Sequence, residues 1–322
     1  LYKKLLDPRL TTADKAAVSE DIVRREDDYE KLKRKIRSSS PAYADLRYPE
    51  VIPLAGAQKE LAAPGTTFLY TGFVKLDALW NDANDGSITE NTAGSDFYVP
   101  AATPVGGFAK SPNLDAHVKQ TRLILGTDTP LGGKDLLQAR IEMDLYGSSL
   151  GDQRTTNTYG LQVRHAFVQW REWLVGQTWS NFEDPVALPD AIDFIGSTDG
   201  TVFVRQPQLR WTRGGLSLSA ENPESTLQPF RAAAQNARIS SDDSAMPDLT
   251  AKYTLKGSWG QLSGAVLARQ LKYRQFAANG ATLVDDSTYT AAVSVSGKLI
   301  FGQDDLRFVL LGGNLGRYVG LN

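Results

Sequence analysis

The stretch "QARIEMDLYG", residues 138–147, decides the fold class because polar and apolar side chains alternate along it. Its polar members are Gln138, Arg140, Glu142 and Asp144, with apolar residues between them. A period of two predicts a β-strand with one charged face and one apolar face. In a soluble protein the apolar face would enter a core. In an outer-membrane barrel it would contact lipid, and the charged face would line an aqueous lumen.

The same alternation returns along most of the chain after Thr66. We count about eleven such segments, at 66–80, 117–125, 138–147, 161–170, 173–180, 203–212, 216–221, 248–257, 261–271, 287–297 and 304–313. Many approach the 9–11 residues that a tilted membrane strand requires. Within 161–170, Leu161, Val163 and Phe167 share the apolar parity, opposite Gln162 and Arg164. The pattern predicts a mostly β protein built of antiparallel strands.

The connections between these segments alternate in length. Short ones are "GTDTPLGGKD" (126–135), Arg171-Glu172, "TRGG" (212–215), "KGSWGQ" (256–261) and the turn near 297–305. Longer ones are 81–116, 147–160, 181–202, 222–247 and 272–287. Short turns at one end and long loops at the other are typical of a transmembrane β-barrel, whereas a β-sandwich mixes loop lengths at both ends. A soluble β-sandwich that binds carbohydrate and an adhesin-like outer-membrane anchor remain the alternatives.

The first forty residues differ from the rest in kind. Apolar side chains recur there at heptad-like spacing, at Val18, Ile22, Tyr29, Leu32 and Ile36. The spacing predicts a short helical coiled coil over 1–40, or an ordinary amphipathic helix packed on its own domain. Residues 41–65 contain four prolines and read as a linker. Residues 66–322 form the predicted barrel domain.

Composition excludes several classes of function. The chain has no cysteine, two histidines and nearly balanced charge, with 35 basic and 37 acidic residues. We therefore expect no metal site, no cofactor and no nucleic-acid partner. Neither histidine stands near a nucleophile-elbow serine, so we expect no catalytic residues. His165 falls on the lipid-facing parity of its strand and is predicted to contact another subunit.

The strand number carries a further expectation. A closed single-chain bacterial barrel needs an even number of strands, and an open edge in lipid leaves backbone groups unpaired. About eleven strands is odd. We therefore expect this chain to be a C-terminally incomplete barrel.

Four stretches resemble the DcaP-like outer-membrane porins. They are "GFVKLDALWNDANDG" (72–86), "LQVRHAFVQWREWLVGQTWSNFEDP" (161–185), "TVFVRQPQLRWT" (201–212) and "GNLGRYVGLN" (313–322). The resemblance implies a sixteen-stranded trimeric porin in the bacterial outer membrane, with a periplasmic N-terminal coiled coil. It also implies lipid and lipopolysaccharide as surroundings and small anionic solutes, such as dicarboxylates, as cargo.

Basic residues on the polar parity suggest what lines the lumen. The predicted pore-lining residues are Lys75, Arg122, Arg140, Arg164, Arg210 and Arg269. Arginine suits this role because its planar fork pairs bidentately with carboxylate. The alternative is that these cations are neutralised by Asp77, Glu142 or Asp144. The loop at 181–202 resembles a constriction loop, in which we expect Asp190, Asp193 and Phe194 to act.

Overall fold

The computed structural model describes Arg24 and residues 63–83, 85–86, 88, 93–97, 103–106, 112–149, 159–189, 201–227 and 239–319. The chain divides into two units, Leu1–Arg47 and Tyr48–Asn322. Arg24 is helical and exposed. The rest of the predicted coiled coil, and all of the linker up to residue 62, lies outside the described residues. No helix within the described ranges is long and apolar enough to span a membrane.

Strands dominate the described part of the second unit. They are β1 (Thr67–Phe73), β2 (Asp77–Asn81), β3 (Asn113–His117), β4 (Arg122–Gly132), β5 (Asp135–Ser149), β6 (Tyr159–Trp170), β7 (Trp173–Trp179), β8 (Arg205–Arg213), β9 (Leu216–Glu221), β10 (Ser225–Leu227), β11 (Ile239–Ser241), β12 (Asp248–Gly257), β13 (Gly260–Phe276), β14 (Thr282–Phe301) and β15 (Asp304–Gly313). Short helical pieces are α1 (Ala93–Asp96) and 3₁₀ turns at Pro185–Ala187 and Gly316–Tyr318.

Eleven of these strands form one antiparallel sheet. Its order is β1-β4-β5-β6-β7-β8-β9-β12-β13-β14-β15, so each strand neighbours the next sheet strand along the chain. The pairs β2-β3 and β10-β11 are small separate sheets inside long connections. Among the described residues, β1 and β15 each pair on one side only. The expected number of about eleven barrel-type strands is confirmed.

The predicted alternation of connections is also confirmed. Five turns of two residues lie at one end of the sheet, at 133–134, 171–172, 214–215, 258–259 and 302–303. Gly214 and Gly302 adopt positive φ angles of 60° and 67°, which glycine accepts without steric cost. Two predicted boundaries were wrong, because β4 continues to Gly132 and the hairpin of β13 and β14 runs on to Phe276 and Thr282.

The first predicted strand, 66–80, is two strands in the structure. The ladder between β1 and β4 ends at the pair Phe73 and Arg122, where β4 begins. The described residues that follow Phe73, 74–83, pair with no strand of the main sheet. Residues Asp77–Asn81 instead pair with Asn113–His117. Lys75 therefore lies between strands rather than on the barrel wall.

The two faces of the main sheet answer the question raised by residues 138–147. Ile141 is 44% exposed, whereas Glu142 is 6% and Asp144 is 1% exposed. Other strands show the same pattern, with apolar side chains exposed and polar side chains buried. The exposed apolar side chains include Val163, Val175, Leu209, Leu218, Leu249, Val266, Val293 and Val295. We call this the outer face. The opposite inner face buries polar side chains, among them Gln206, Ser217, Ser219, Glu221, Thr250, Gln261, Ser263, Ser294 and Ser296. A soluble sandwich would bury the apolar face instead.

Candidate functional site

The inner face carries an ion-pair network across β4, β5 and β6, which we call the arginine cluster: Arg122, Glu142, Asp144 and Arg164. Arg164 Nε donates to Glu142 Oε1 at 2.7 Å, and its Nη1 donates to Asp144 Oδ2 at 2.8 Å. Arg122 Nη1 lies 3.3 Å from the same Glu142 oxygen. Two predicted pore-lining arginines are thus brought together, and both contact carboxylates of the neighbouring strand.

A β-bulge shapes this cluster. Glu142 pairs with His165 and Met143 pairs with Val163, so Arg164 is an extra residue in β6. As a result the side chains of Arg164 and His165 both lie on the inner face, and the parity of β6 reverses beyond them. Phe167 then faces inward, opposite Arg140, and is 8% exposed.

This bulge overturns two predictions. The outward parity expected for Phe167 was wrong, and so was the subunit contact expected for His165. His165 Nδ1 lies 2.9 Å from the hydroxyl oxygen of buried Thr178. On the outer side, Gln177 Nε2 donates to the Val163 carbonyl at 3.0 Å, which satisfies a backbone group at the bulge.

A fifth charged group, Arg205, lies beside the arginine cluster at the start of β8. Its guanidinium carbon is 3.5 Å from the centre of the Trp179 ring and 5.2 Å from that of Phe203. Its Nε lies 3.4 Å from His165 Nε2. Cation–π stacking fixes the plane of a guanidinium without neutralising its charge. The alternation pattern alone did not single out Arg205, because it falls on the same parity as Leu209 and Trp211.

Two further predicted pore-lining residues are also paired. Lys75 Nζ lies 2.9 Å from an Asp77 oxygen and donates to Gln120 Oε1 at 2.5 Å. Arg140 Nη2 donates to Asp128 Oδ1 at 2.6 Å. The neutralising partners proposed as the alternative therefore exist for Lys75, Arg122 and Arg164, and Arg140 has one that was not predicted.

Arg210 differs from these residues. Its Nε donates to Gln208 Oε1 at 2.8 Å, and its Nη2 donates to the Trp179 carbonyl. Within the described residues no carboxylate lies at ion-pair distance from Arg210. Its positive charge is therefore oriented by neutral acceptors.

The connection after β7 folds across the inner face. We call its described residues, 180–189 and 201–204, the inner loop. The Asp184 carboxylate accepts hydrogen bonds from Gln261 Nε2 at 3.0 Å and from the Ser296 hydroxyl at 2.9 Å. It also caps the 3₁₀ turn through the Val186 amide at 3.2 Å. Lys252 Nζ donates to the Glu183 carbonyl at 2.8 Å. The predicted constriction residues Asp190, Asp193 and Phe194 lie outside the described residues.

An apolar anchor holds the inner loop in place. Phe182 is 1% exposed and packs with Val202 and Val204 of the loop. Their partners on the sheet are Ala265, Leu267 and Ala292, which face inward on β13 and β14. Burying a phenylalanine side chain contributes about 2–3 kcal/mol. This apolar patch on a mainly polar face explains where the inner loop docks.

The inner loop also buries a carboxyl group of its own. Glu183 is 1% exposed and accepts a hydrogen bond from the Val204 amide at 3.3 Å. Burial raises the pKa of the Glu183 carboxyl well above its ordinary value, although the nearby Arg205 charge opposes this.

Residues 314–319, which we call the post-β15 segment, also cover the inner face. Tyr318 is fully buried, and its hydroxyl lies 3.1 Å from Asp248 Oδ2 and 3.3 Å from Glu221 Oε2. Arg269 Nη2 lies 3.0 Å from Asp248 Oδ2. The last predicted pore-lining residue, Arg269, is therefore on the inner face but covered, with its charge matched by Asp248.

Sequence reasoning missed Phe182 and Tyr318 as structural elements of the site. Both lie within stretches that were noted for their resemblance, yet a single aromatic residue in a loop gives no periodic signal. The described residues hold no cluster of three or more His, Cys, Asp or Glu side chains placed to bind a metal ion. What they offer a solute is a set of oriented charges and hydrogen-bonding groups on one polar face of the sheet.

The DcaP outer membrane protein family matches residues 11–261. Among solved structures, the outer membrane channel DcaP of Acinetobacter baumannii is similar, with a TM-score of 0.58 and 26% sequence identity. That match covers 82% of this chain and 68% of the Acinetobacter chain. No curated protein matches the chain significantly.

Two structures of an outer membrane protein of Vibrio cholerae are more distant. OmpT expressed in the outer membrane has a TM-score of 0.42 and 11% identity, covering 79% of this chain and 66% of its own. A loop L8 deletion mutant of OmpT has a TM-score of 0.40 and 12% identity, covering 77% of this chain and 69% of its own.

Proposed function

Since the chain belongs to the DcaP outer membrane protein family, we propose that it forms a passive channel across the outer membrane. The channel admits small solutes and favours anions such as dicarboxylates. A channel accelerates no reaction. It lowers the barrier to crossing hydrocarbon by providing an aqueous path, and its selectivity comes from its width and its charges.

One observation carries the proposal. The main sheet exposes large apolar side chains on its outer face and buries charged and hydroxyl side chains on its inner face. Lipid on the outer face and water on the inner face satisfy both surfaces at once. The inner loop, bonded to Gln261 and Ser296 of the inner face, narrows the path that remains.

The charges on one side of the inner wall support the proposed anion preference. On β4–β8 the described charges on the inner face are four arginines and three carboxylates: Arg122, Arg140, Arg164, Arg210, Asp128, Glu142 and Asp144. Arg205 lies beside them, near His165. The inner loop contributes the Asp184 carboxylate on the other side. A basic wall facing an acidic loop produces a transverse field that orients dipolar solutes and attracts carboxylates.

The surroundings of the channel belong to the same proposal. Closure of the sheet into a sixteen-stranded barrel would remove the unpaired edges of β1 and β15, which hydrocarbon penalises by several kcal/mol per backbone group. Assembly as a homotrimer in lipid and lipopolysaccharide, with a coiled coil over 1–40 in the periplasm, remains a prediction from the sequence.

The proposal is tested by electrophysiology and solute flux. Purified protein in a planar bilayer should conduct ions, and its reversal potential in a KCl gradient should indicate preference for chloride. Liposomes containing it should swell faster in succinate than in a neutral sugar or a diamine of similar size. Absence of conductance would reject the channel, whereas conductance with cation preference would reject only the anionic cargo.

A further inference from the structure

We propose that the post-β15 segment sets the charge of the lumen by covering a carboxylate pair, and that Tyr318 is the residue responsible. The inference rests on the proposed channel function. The pair is Glu221 at the end of β9 and Asp248 at the start of β12, directly opposite each other in the ladder. They are 2% and 0% exposed.

Three kinds of contact hold Tyr318 over this pair of carboxylates. Its hydroxyl lies 3.1 Å from Asp248 and 3.3 Å from Glu221, so one donor serves two carboxylates. Its ring meets Phe182 edge to face, with centroids 5.8 Å apart. The Arg269 guanidinium carbon lies 5.0 Å from the ring centre on another side. Aromatic contact and hydrogen bonding thus act on the same side chain.

The two carboxylates differ in how their charge is met. Asp248 has the guanidinium of Arg269 as a counter-ion. Glu221 accepts from neutral donors: the Asn181 amide at 2.8 Å, the Ser219 hydroxyl at 2.7 Å and the Tyr318 hydroxyl. No cation lies at ion-pair distance from Glu221 within the described residues. Uncovering the pair would therefore present a carboxylate to the lumen without a counter-ion.

The backbone holds the post-β15 segment against the inner loop. Val202 and Val319 form an antiparallel bridge, and the Phe203 amide donates to the Tyr318 carbonyl at 3.0 Å. Arg269 Nη1 donates to the Leu315 carbonyl at 2.9 Å. Gly316 has a φ of 53°, and a Cβ there would lie 2.7 Å from the Ser225 hydroxyl oxygen. The two segments therefore form one constriction, and the conformation of the second depends on glycine.

The first test compares two replacements of Tyr318. Tyr318→Ala should shift the reversal potential in a KCl gradient toward cations. It should also raise single-channel conductance by about twofold, since the open cross-section sets conductance. Tyr318→Phe removes the hydroxyl but keeps the ring over the pair, so selectivity and conductance should both stay near the wild-type values. Tyr253→Phe, on the exposed outer face, is the matched control and should change neither quantity.

A second substitution makes the charge argument specific. Adding Glu221→Gln to Tyr318→Ala should return the reversal potential to the wild-type value while conductance stays high. A loss of folding would instead abolish conductance in both variants. Wild-type selectivity in Tyr318→Ala, with pores still present, would overturn the inference.

A disulfide test separates this inference from the channel proposal. The chain contains no cysteine, so Val202→Cys with Val319→Cys introduces one possible intramolecular pair. Oxidation should form that disulfide in folded protein in detergent, detected by the loss of free thiols. If wild-type protein forms no pores but the disulfide forms, the channel proposal fails and the docked segment stands. If pores form and both cysteines stay reduced, the inference fails alone.

Discussion

The two halves of the inner wall satisfy their polar groups in different ways. On β4–β8, charged side chains find partners on the adjacent strand, as Arg164 does with Glu142, 22 residues away. On β9–β14, adjacent-strand pairs such as Asp248 with Arg269 also occur, but further partners come from loops folded over the wall. Asp184 meets Ser296 across 112 residues, and Tyr318 meets Glu221 across 97.

We infer from this difference that the two halves of the inner wall have different roles. Within the described residues, the hydrogen bonds of the inner loop to the sheet go to β9–β15. The β4–β8 wall has an excess of arginine, so it is suited to attract carboxylates. The β9–β14 wall serves as the docking surface for the inner loop and the post-β15 segment, so it determines the width of the path. Mutations on β4–β8 should therefore change charge alone, whereas loss of a docked segment on β9–β14 should change width, and at Tyr318 charge as well.

The largest effect should come from the anchor of the inner loop. Phe182→Ala removes a fully buried ring and should cost about 3 kcal/mol or more of stability. The loop should leave the β9–β14 wall, so single-channel conductance should rise and thermal stability should fall. Phe301→Ala, 60% exposed beside a short turn, should leave conductance unchanged. Equal conductance in both variants would contradict the docking of the loop through Phe182.

A smaller and different effect is expected on the β4–β8 wall. Arg164→Gln leaves Glu142 and Asp144 without their main partner, which should cost about 3 kcal/mol and shift the reversal potential toward cations. The size of the open channel should change little, because the described hydrogen bonds of the inner loop to the sheet are with β9–β15. The double variant Glu142→Gln with Arg164→Gln should return selectivity toward wild type. A conductance change as large as that of Phe182→Ala would erase the distinction between the halves.

The same difference explains how much could be predicted from the sequence. The alternation first seen along residues 138–147 recurs along the chain and identified the strands and their polar face. The lengths of the connections identified the turns. Ion pairs on β4–β8 follow from register, and two of their three carboxylates, Glu142 and Asp144, were named as possible partners. The bulge at Arg164 was not predictable, because one inserted residue leaves no trace in a period of two. The contacts of Phe182 and Tyr318 join segments that are distant in sequence and meet over the inner face. No local pattern encodes such contacts.

The smallest effect should be a pH dependence in the inner loop. Burial raises the pKa of Glu183 in the docked loop, so the docked state binds a proton more readily than a loop exposed to water. Docking is therefore strengthened as the pH falls and weakened as it rises through the raised pKa. Conductance noise should increase from acidic to neutral pH, and Glu183→Gln should remove this trend. Noise that increases with acidity in wild type would contradict the assignment.

The central claim, that lipid covers the outer face and water the inner face, is tested most directly along β14. Single cysteines would replace Val293, Ser294, Val295 and Ser296 in turn, and each would carry a fluorescent label in reconstituted protein. We predict that lipid-bound nitroxide quenches the labels at Val293 and Val295 but not those at Ser294 and Ser296, which lie on the inner face. Lipid quenching at the serines and not at the valines would contradict the account.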